Sequence, residues 1–129
     1  MFLFIDTTNE PMIRIMNNSF SIVDEYIFGN RNMISEELLI KIENLLSENK
    51  IKKRDLSGII VNTAAGSYTG QRIGVTCANF LAFSLNIPVL EQDKMAQISV
   101  VKKEKRQFSA PVFPFYKDLP HITKSKSRL

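Results

Sequence analysis

The chain passes from an apolar run, Ser57 to Asn62, through the stretch Ala65-Gly66-Ser67-Tyr68-Thr69-Gly70-Gln71-Arg72-Ile73-Gly74, into a second apolar run that ends at Leu85. The first run is continuous, as in a strand covered on both faces. The second repeats at helical spacing. Gly66 and Gly70 bracket the hydroxyls of Ser67 and Thr69 where strand becomes helix. That junction is where an α/β protein presents backbone N–H groups to a ligand or a partner. The turn could hold an anion at the helix N-terminus. Alternatively, Gly70 and Gly74 let the helix approach another backbone closely, and Arg72 pairs with a carboxylate or caps carbonyls. The structural reading is preferred.

Upstream, Phe2 to Asp6 reads as a short buried strand. Pro11 marks a turn, because proline cannot donate to a ladder. Met12 to Met16 is a second strand, Asn17-Asn18-Ser19 is hairpin turn chemistry, and Phe20 to Phe28 is a third strand. Short turns between them predict an antiparallel meander. The period then changes. Ser35 is a candidate N-cap, Glu36 and Glu37 suit the positive end of a helix dipole, and Ile34 is expected to staple onto Leu39. Leu38, Leu39, Ile42, Leu45 and Leu46 form the apolar stripe of a first helix that ends near Glu48 to Lys50. Thr69 is expected to cap the second helix, Gly70 to Leu85, and Asn86 to Leu90 is a fifth strand entered through a turn.

The second helix is apolar on more than one face. Ile73, Cys77, Phe80, Leu81 and Ser84 form one stripe, and Gly74, Val75, Ala78, Ala82 and Leu85 another. A helix apolar nearly all round is buried on two sides. In so small a body the second side is expected to be a subunit interface. Beyond Asp93 the pattern weakens: Met95 to Val101 fits a short helix or a strand, and the prolines at 111, 114 and 120 predict an extended segment.

The 129 residues match one domain with a tail, and 44% apolar content is enough for a core. No apolar run approaches the ~18 residues of a membrane span. The N-terminus lacks a basic leader and a cleavage site, so no signal peptide is expected. The single cysteine, Cys77, excludes an internal disulfide and reads as a buried small apolar group. These features together predict a cytoplasmic protein. Residues 1–93 carry eight Lys or Arg against eleven Asp or Glu; residues 94–129 carry nine against two. A mildly acidic body thus bears a basic tail. The tail is either a footprint for RNA or another acidic partner, or a solvated segment; it has no RNA-binding signature.

The order βββαβαβ is that of a ribonuclease-H-like (actin-like ATPase) α/β domain, with a mixed sheet and covering helices. Residues carry the resemblance further. Phe4-Ile5-Asp6-Thr7-Thr8 resembles the opening strand of the TsaB (YeaZ) family, and Ala64 to Gly74 resembles that family's Gly-Pro-Gly-Ser-Phe-Thr-Gly-x-Arg-Ile-Gly signature. Asn79-Phe80-Leu81-Ala82, Asn86-Ile87-Pro88-Val89 and the tail motif around Pro114-Phe115-Tyr116 and Pro120 to Lys124 are similar as well. The chain departs from the pattern at Ala64 and Ala65, which replace Gly and Pro, and at Ile34, where the family often has His. Only sixteen residues, Lys94 to Ser109, separate the lobe from the tail motif, so the second actin-like lobe is expected to be missing. The expected organisation is a lobe over 1–93 and a basic, Pro-containing tail over 94–129.

The resemblance implies a non-catalytic subunit of the complex that makes N6-threonylcarbamoyladenosine at tRNA position 37. It implies TsaD as the catalytic partner, TsaE as a further partner, self-association as an alternative use of the same surface, and tRNA reached through the complex. The interface is expected at Leu39, Glu43, Arg72, Val75, Ala78, Asn79 and Ala82, with Gly66, Ser67, Thr69, Gly70 and Gly74 as the signature turn. No catalytic residue, metal or cofactor is expected, because Thr7 and Thr8 stand where a phosphate-binding turn wants glycine. The alternatives are a small ribonuclease-H-like metal-dependent nuclease built on Asp6, with Asp24, Glu25 or Glu91 as further ligands, and an RNA-binding module driven by the tail. Asp6 also fits a turn-capping role. A protease is unsupported, since Ser67 has no evident base and the sole histidine, His121, lies in the tail.

Overall fold

The computed structural model describes residues 1–29, 34–63, 68–93, 107–108 and 110–113, with the backbone alone at Tyr68 and Thr69. Gly66, Ser67, the Thr69 side chain, residues 95–101 and the tail motif from Pro114 onward lie outside the described residues.

Alternating side chains build the sheet. In β1 (Phe2–Asp6), Leu3 and Ile5 point to one face while Phe2 and Phe4 point to the other. β2 (Met12–Met16) and β3 (Ile22–Ile27) follow as an antiparallel meander, as the short turns require. β4 (Gly58–Val61) and β5 (Val89–Glu91) add parallel to β1, giving the order β3-β2-β1-β4-β5. This is the expected mixed sheet. The third strand is shorter than expected: Phe20 adopts φ 64° in the hairpin turn, where Asn17 Oδ1 accepts from the Ser19 and Ser21 amides at 2.9 and 3.0 Å.

One face of the sheet carries Leu3, Ile5, Ile13, Ile15, Ile59 and Val61, and both helices pack on it. α1 (Ile34–Glu48) buries Ile34, Leu38, Ile42, Leu45 and Leu46. It starts one residue before the expected cap, so Ser35 sits inside its first turn. The expected staple does not form: Ile34 is buried, but Leu39 is 40% exposed. Leu39 lies ~100° round from Leu38 on the helix wheel, which turns it toward solvent. The end of α1 is tied to β3, where Asn49 Nδ2 donates to Asp24 Oδ2 at 2.9 Å and holds that half-exposed carboxyl below the usual range.

α2 (Tyr68–Leu85) starts two residues earlier than expected. Both helices end alike. Lys50 (φ 58°) and Asn86 (φ 53°) turn left-handed, and the next amides, Ile51 N and Ile87 N, donate back to Leu46 O and Ala82 O at 2.9 Å each. That is the Schellman closure. Asn86, read above as the start of a strand, is therefore a helix stop, and β5 begins only after Pro88.

Candidate partner-docking site

The signature turn and the opening strand meet at Thr7. In an uninterrupted helix the carbonyl of Gly70 would accept from the amide of Gly74. The Thr7 hydroxyl, delivered from the end of β1, engages both of these groups: it donates to Gly70 O and accepts from Gly74 N at 2.9 Å. A Cβ on Gly74 would stand 2.6 Å from Thr7 Oγ1. Glycine is therefore needed at 74 for close approach. The close approach expected of Gly74 matches this geometry, although the neighbouring strand is reached through a hydroxyl.

Asp6 is engaged locally. Its Oδ1 accepts from the Thr8 amide at 2.9 Å and from the Thr8 hydroxyl at 2.5 Å, and its Oδ2 accepts from Asn62 Nδ2 at 3.1 Å. This is the turn-capping arrangement. Glu91 accepts from the Thr63 hydroxyl at 3.0 Å. Among the described residues no three His, Cys, Asp or Glu side chains converge as metal ligands would.

The surface opens elsewhere. Between α1 and α2 runs a groove of about 530 Å³, with Leu38 and Leu39 on one wall and Ile73, Thr76, Cys77 and Phe80 on the other; Ser35 and Arg72 also line it. Phe80 is 59% exposed. Its walls are mainly apolar, a composition suited to another protein's side chains. Burial pushes the Cys77 thiol up from 9.0 to about 11, so it stays protonated at neutral pH. Iodoacetamide at pH 8 should therefore label Cys77 far more slowly than it labels glutathione. Because the folded pKa is the higher one, this group's contribution to stability is intact below pH 9.0 and declines toward pH 11. Denaturant titrations at pH 8 and pH 10.5 check the sign.

The expected interface residues separate into four groups. Leu39 and Arg72 line the groove. Glu43 is exposed on α1 but lies outside the groove, beside Lys53 at 2.5 Å. Val75, Ala78 and Ala82 are corrected: they are buried in the domain's own core, with Ala78 and Ala82 at 0% exposure. No second protein can reach them without opening the fold. The small-residue stripe faces the sheet because a helix held this close to β1 by Thr7 has room only for small side chains. The surplus apolar face of α2 is the other stripe, through Ile73, Cys77 and Phe80. Asn79 is half-buried on α2. Its side chain is taken up within the chain, donating to Val112 O at 2.7 Å and accepting from Val112 N at 2.8 Å. Phe80 and Thr76 were missed as site residues, although Phe80 already stood in the first stripe.

Residues 32–115 match the family model described as TsaD: tRNA N6-adenosine threonylcarbamoyltransferase. The tRNA threonylcarbamoyladenosine biosynthesis protein TsaB of Bacillus subtilis (strain 168) is 32% identical over 114 residues, which are 88% of this chain and 48% of that protein. The chain belongs to this family, in its TsaB (YeaZ) branch. The uncharacterized protein MG208 of Mycoplasma genitalium is also similar, 32% identical over 80 residues, covering 59% of this chain and 40% of MG208. The chain thus spans less than half the length of these two relatives. A crystal structure of an uncharacterized Pseudomonas aeruginosa protein with similarity to peptidase YeaZ superposes with TM-score 0.63 at 23% identity, covering 70% of this chain and 41% of that one. YeaZ from the same organism gives 0.62 at 23% identity, with 70% and 43% covered. These likenesses establish the actin-like fold.

Proposed function

We propose that the chain is a partner subunit in tRNA threonylcarbamoyladenosine biosynthesis, docking on a TsaD protein through the α1–α2 groove and contributing no bond chemistry itself. The apolar groove with exposed Leu39 and Phe80 carries the reading. The Bacillus subtilis relative is named for this pathway, and the TsaD family model aligns with most of this chain. The held Asp6 and the protonated Cys77 offer neither a free carboxylate pair nor a nucleophile, which fits a subunit that acts by binding. On this reading the same groove serves a homodimer when TsaD is absent, TsaE is a further partner, tRNA is met through the complex, and the protein works in the cytoplasm. Among the described residues no helix is long and apolar enough to cross a membrane.

Phe80→Asp tests it. Phe80 is mostly exposed, so the variant should keep its melting temperature within a few degrees. A charge at the centre of an apolar contact should weaken association at least about a hundredfold, in the range of interface hot spots. Titration calorimetry against TsaD of the same organism reads the loss; unchanged affinity would remove the groove from the interface.

A further inference from the structure

We propose that the corner at the end of α1, where Lys50, Lys52 and Lys53 line a recess, holds phosphates of an RNA backbone, so that this chain itself touches the tRNA within the complex. The choice of tRNA rests on the pathway reading above. The site makes no use of the α1–α2 groove.

Four of the eight Lys and Arg of residues 1–93 stand at Lys50, Lys52, Lys53 and Arg54. A run of charge becomes a site when the backbone beneath it is held, and here it is. Ile51 N closes α1 on Leu46 O at 2.9 Å. In the next turn Asp55 Oδ2 accepts from the Lys52 amide at 2.9 Å, and Leu56 N donates to Lys53 O at 3.1 Å. Leu46 and Leu56 are buried and anchor both turns. Lys50 takes the left-handed φ of 58° at a position where glycine or asparagine is usual. Asn86 fills the matching position at the end of α2. The end of α1 departs from that ordinary choice, and the departure puts a cation in the wall of the recess.

The recess holds about 400 Å³, with Leu46 and Ile51 as its apolar part and Glu43, Lys50, Lys52 and Lys53 as its charged part. Its carboxylate is already engaged, since Glu43 Oε2 accepts from Lys53 Nζ at 2.5 Å. Neither Lys50 nor Lys52 is ion-paired among the described residues. The other acids of this region are turned to other work. Asp55 holds the Lys52 amide. Glu48 lines a separate depression with Tyr26 and Lys41, ~140° round α1 from Glu43. The recess is therefore net positive and offers two ammoniums that no described carboxylate engages.

Flexible ammoniums meet phosphate as point charges. Among the described residues the lining has no aromatic ring to stack a base and no asparagine, glutamine or arginine to read a base edge. Such a site grips the backbone and is indifferent to sequence. Along α1, nine residues and ~14 Å of rise separate Leu39 in the groove from the helix end at Glu48. RNA at the corner and a protein in the groove can therefore be held together.

Fluorescence anisotropy with an unmodified tRNA transcript and the full chain, over about 50 to 200 mM salt, tests the proposal. Each phosphate contact adds about 0.9 to the slope of log K against log salt. Lys50→Gln with Lys52→Gln should make the slope shallower by about 1.8 and weaken binding at least about tenfold at about 100 mM salt. Glu43→Gln releases Lys53 and should act the other way, steepening the slope by about 0.9 and tightening binding several-fold. All three side chains are exposed, so melting temperatures should stay at the parent's value. The basic tail is the same in every variant. Lys41→Gln removes a cation outside the recess and should change affinity less than about twofold, because salt screens it. An unchanged slope in the double variant, weaker binding in Glu43→Gln, or an equal loss per charge in Lys41→Gln would each overturn the site. Polyglutamate displacing the tRNA at equal charge concentration would overturn the assignment to RNA in favour of an acidic protein. The double variant should still bind TsaD as the parent does; loss of that binding would make the corner a protein contact instead. Phe80→Asp should keep the parent's tRNA affinity, so the groove and the corner fail separately.

Discussion

Gly74→Ala lowers the stability of the domain by about 1–3 kcal/mol, although alanine is the better helix former. Propensity alone would favour the substitution by ~1 kcal/mol in a helix interior. Space reverses the sign. The new Cβ would lie 2.6 Å from Thr7 Oγ1 and 3.4 Å from Ile5 Cγ2. Thr7 is fully buried and its hydroxyl is bonded to Gly70 and Gly74, so it cannot swing away without losing both bonds. The helix must instead lift from β1, and Val75 and Ala78 lift with it. A double-mutant cycle isolates the cause. Thr7→Ala removes the obstructing oxygen and gives the new Cβ at position 74 room. Thr7→Ala with Gly74→Ala should therefore be more stable than the sum of the single effects by at least about 1 kcal/mol. Urea melts of the four proteins measure it. Simple additivity would mean that the contact between Thr7 and Gly74 does not set the spacing of helix and sheet.

That contact also shows where sequence reading stops. The order of elements along the chain was legible because each strand is a short apolar run bounded by turn residues, and the continuous apolar run Ile59-Ile60-Val61 marked β4 as a strand covered on both faces, as its burial shows. The first helix was legible from one clean stripe. The second was not, because α2 is apolar on two faces and periodicity does not say which one meets the sheet. Small residues at 74, 78 and 82 suit a tight subunit contact and equally a tight helix-on-sheet contact. A threonine 67 residues upstream of Gly74 decides between them. Asn79 poses the same difficulty: its partner, Val112, is 33 residues away and contributes only backbone atoms, which leave no side-chain signature. The groove became visible only once the inward face of α2 was assigned. The Ile73, Cys77 and Phe80 stripe was in plain sight, but its role followed from what the other stripe was already covering.

Ala78→Arg unfolds the domain, whereas Phe80→Asp leaves it folded and removes docking. The two positions are two residues apart on one helix, and ~200° of rotation separates their fates. Ala78 has no exposed surface and sits in the core with Val75, Leu81 and Ile59. An arginine there must displace close-packed neighbours and carry an unpaired charge into an apolar interior, at least about 4 kcal/mol of destabilisation from overpacking and charge burial together. A domain of this size has ~5–15 kcal/mol in total, so from about a quarter to most of it is lost. Circular dichroism should show a melting temperature lowered by more than about 15 °C, or no cooperative transition. Loss of partner binding in Ala78→Arg would then follow from unfolding and would say nothing about contact. Phe80→Asp changes a side chain that already meets water, so any loss of binding reports on the surface itself. If Ala78→Arg instead melted like the parent and only failed to bind, the small-residue stripe would be the outward face, and the assignment of α2's two sides would have to be exchanged.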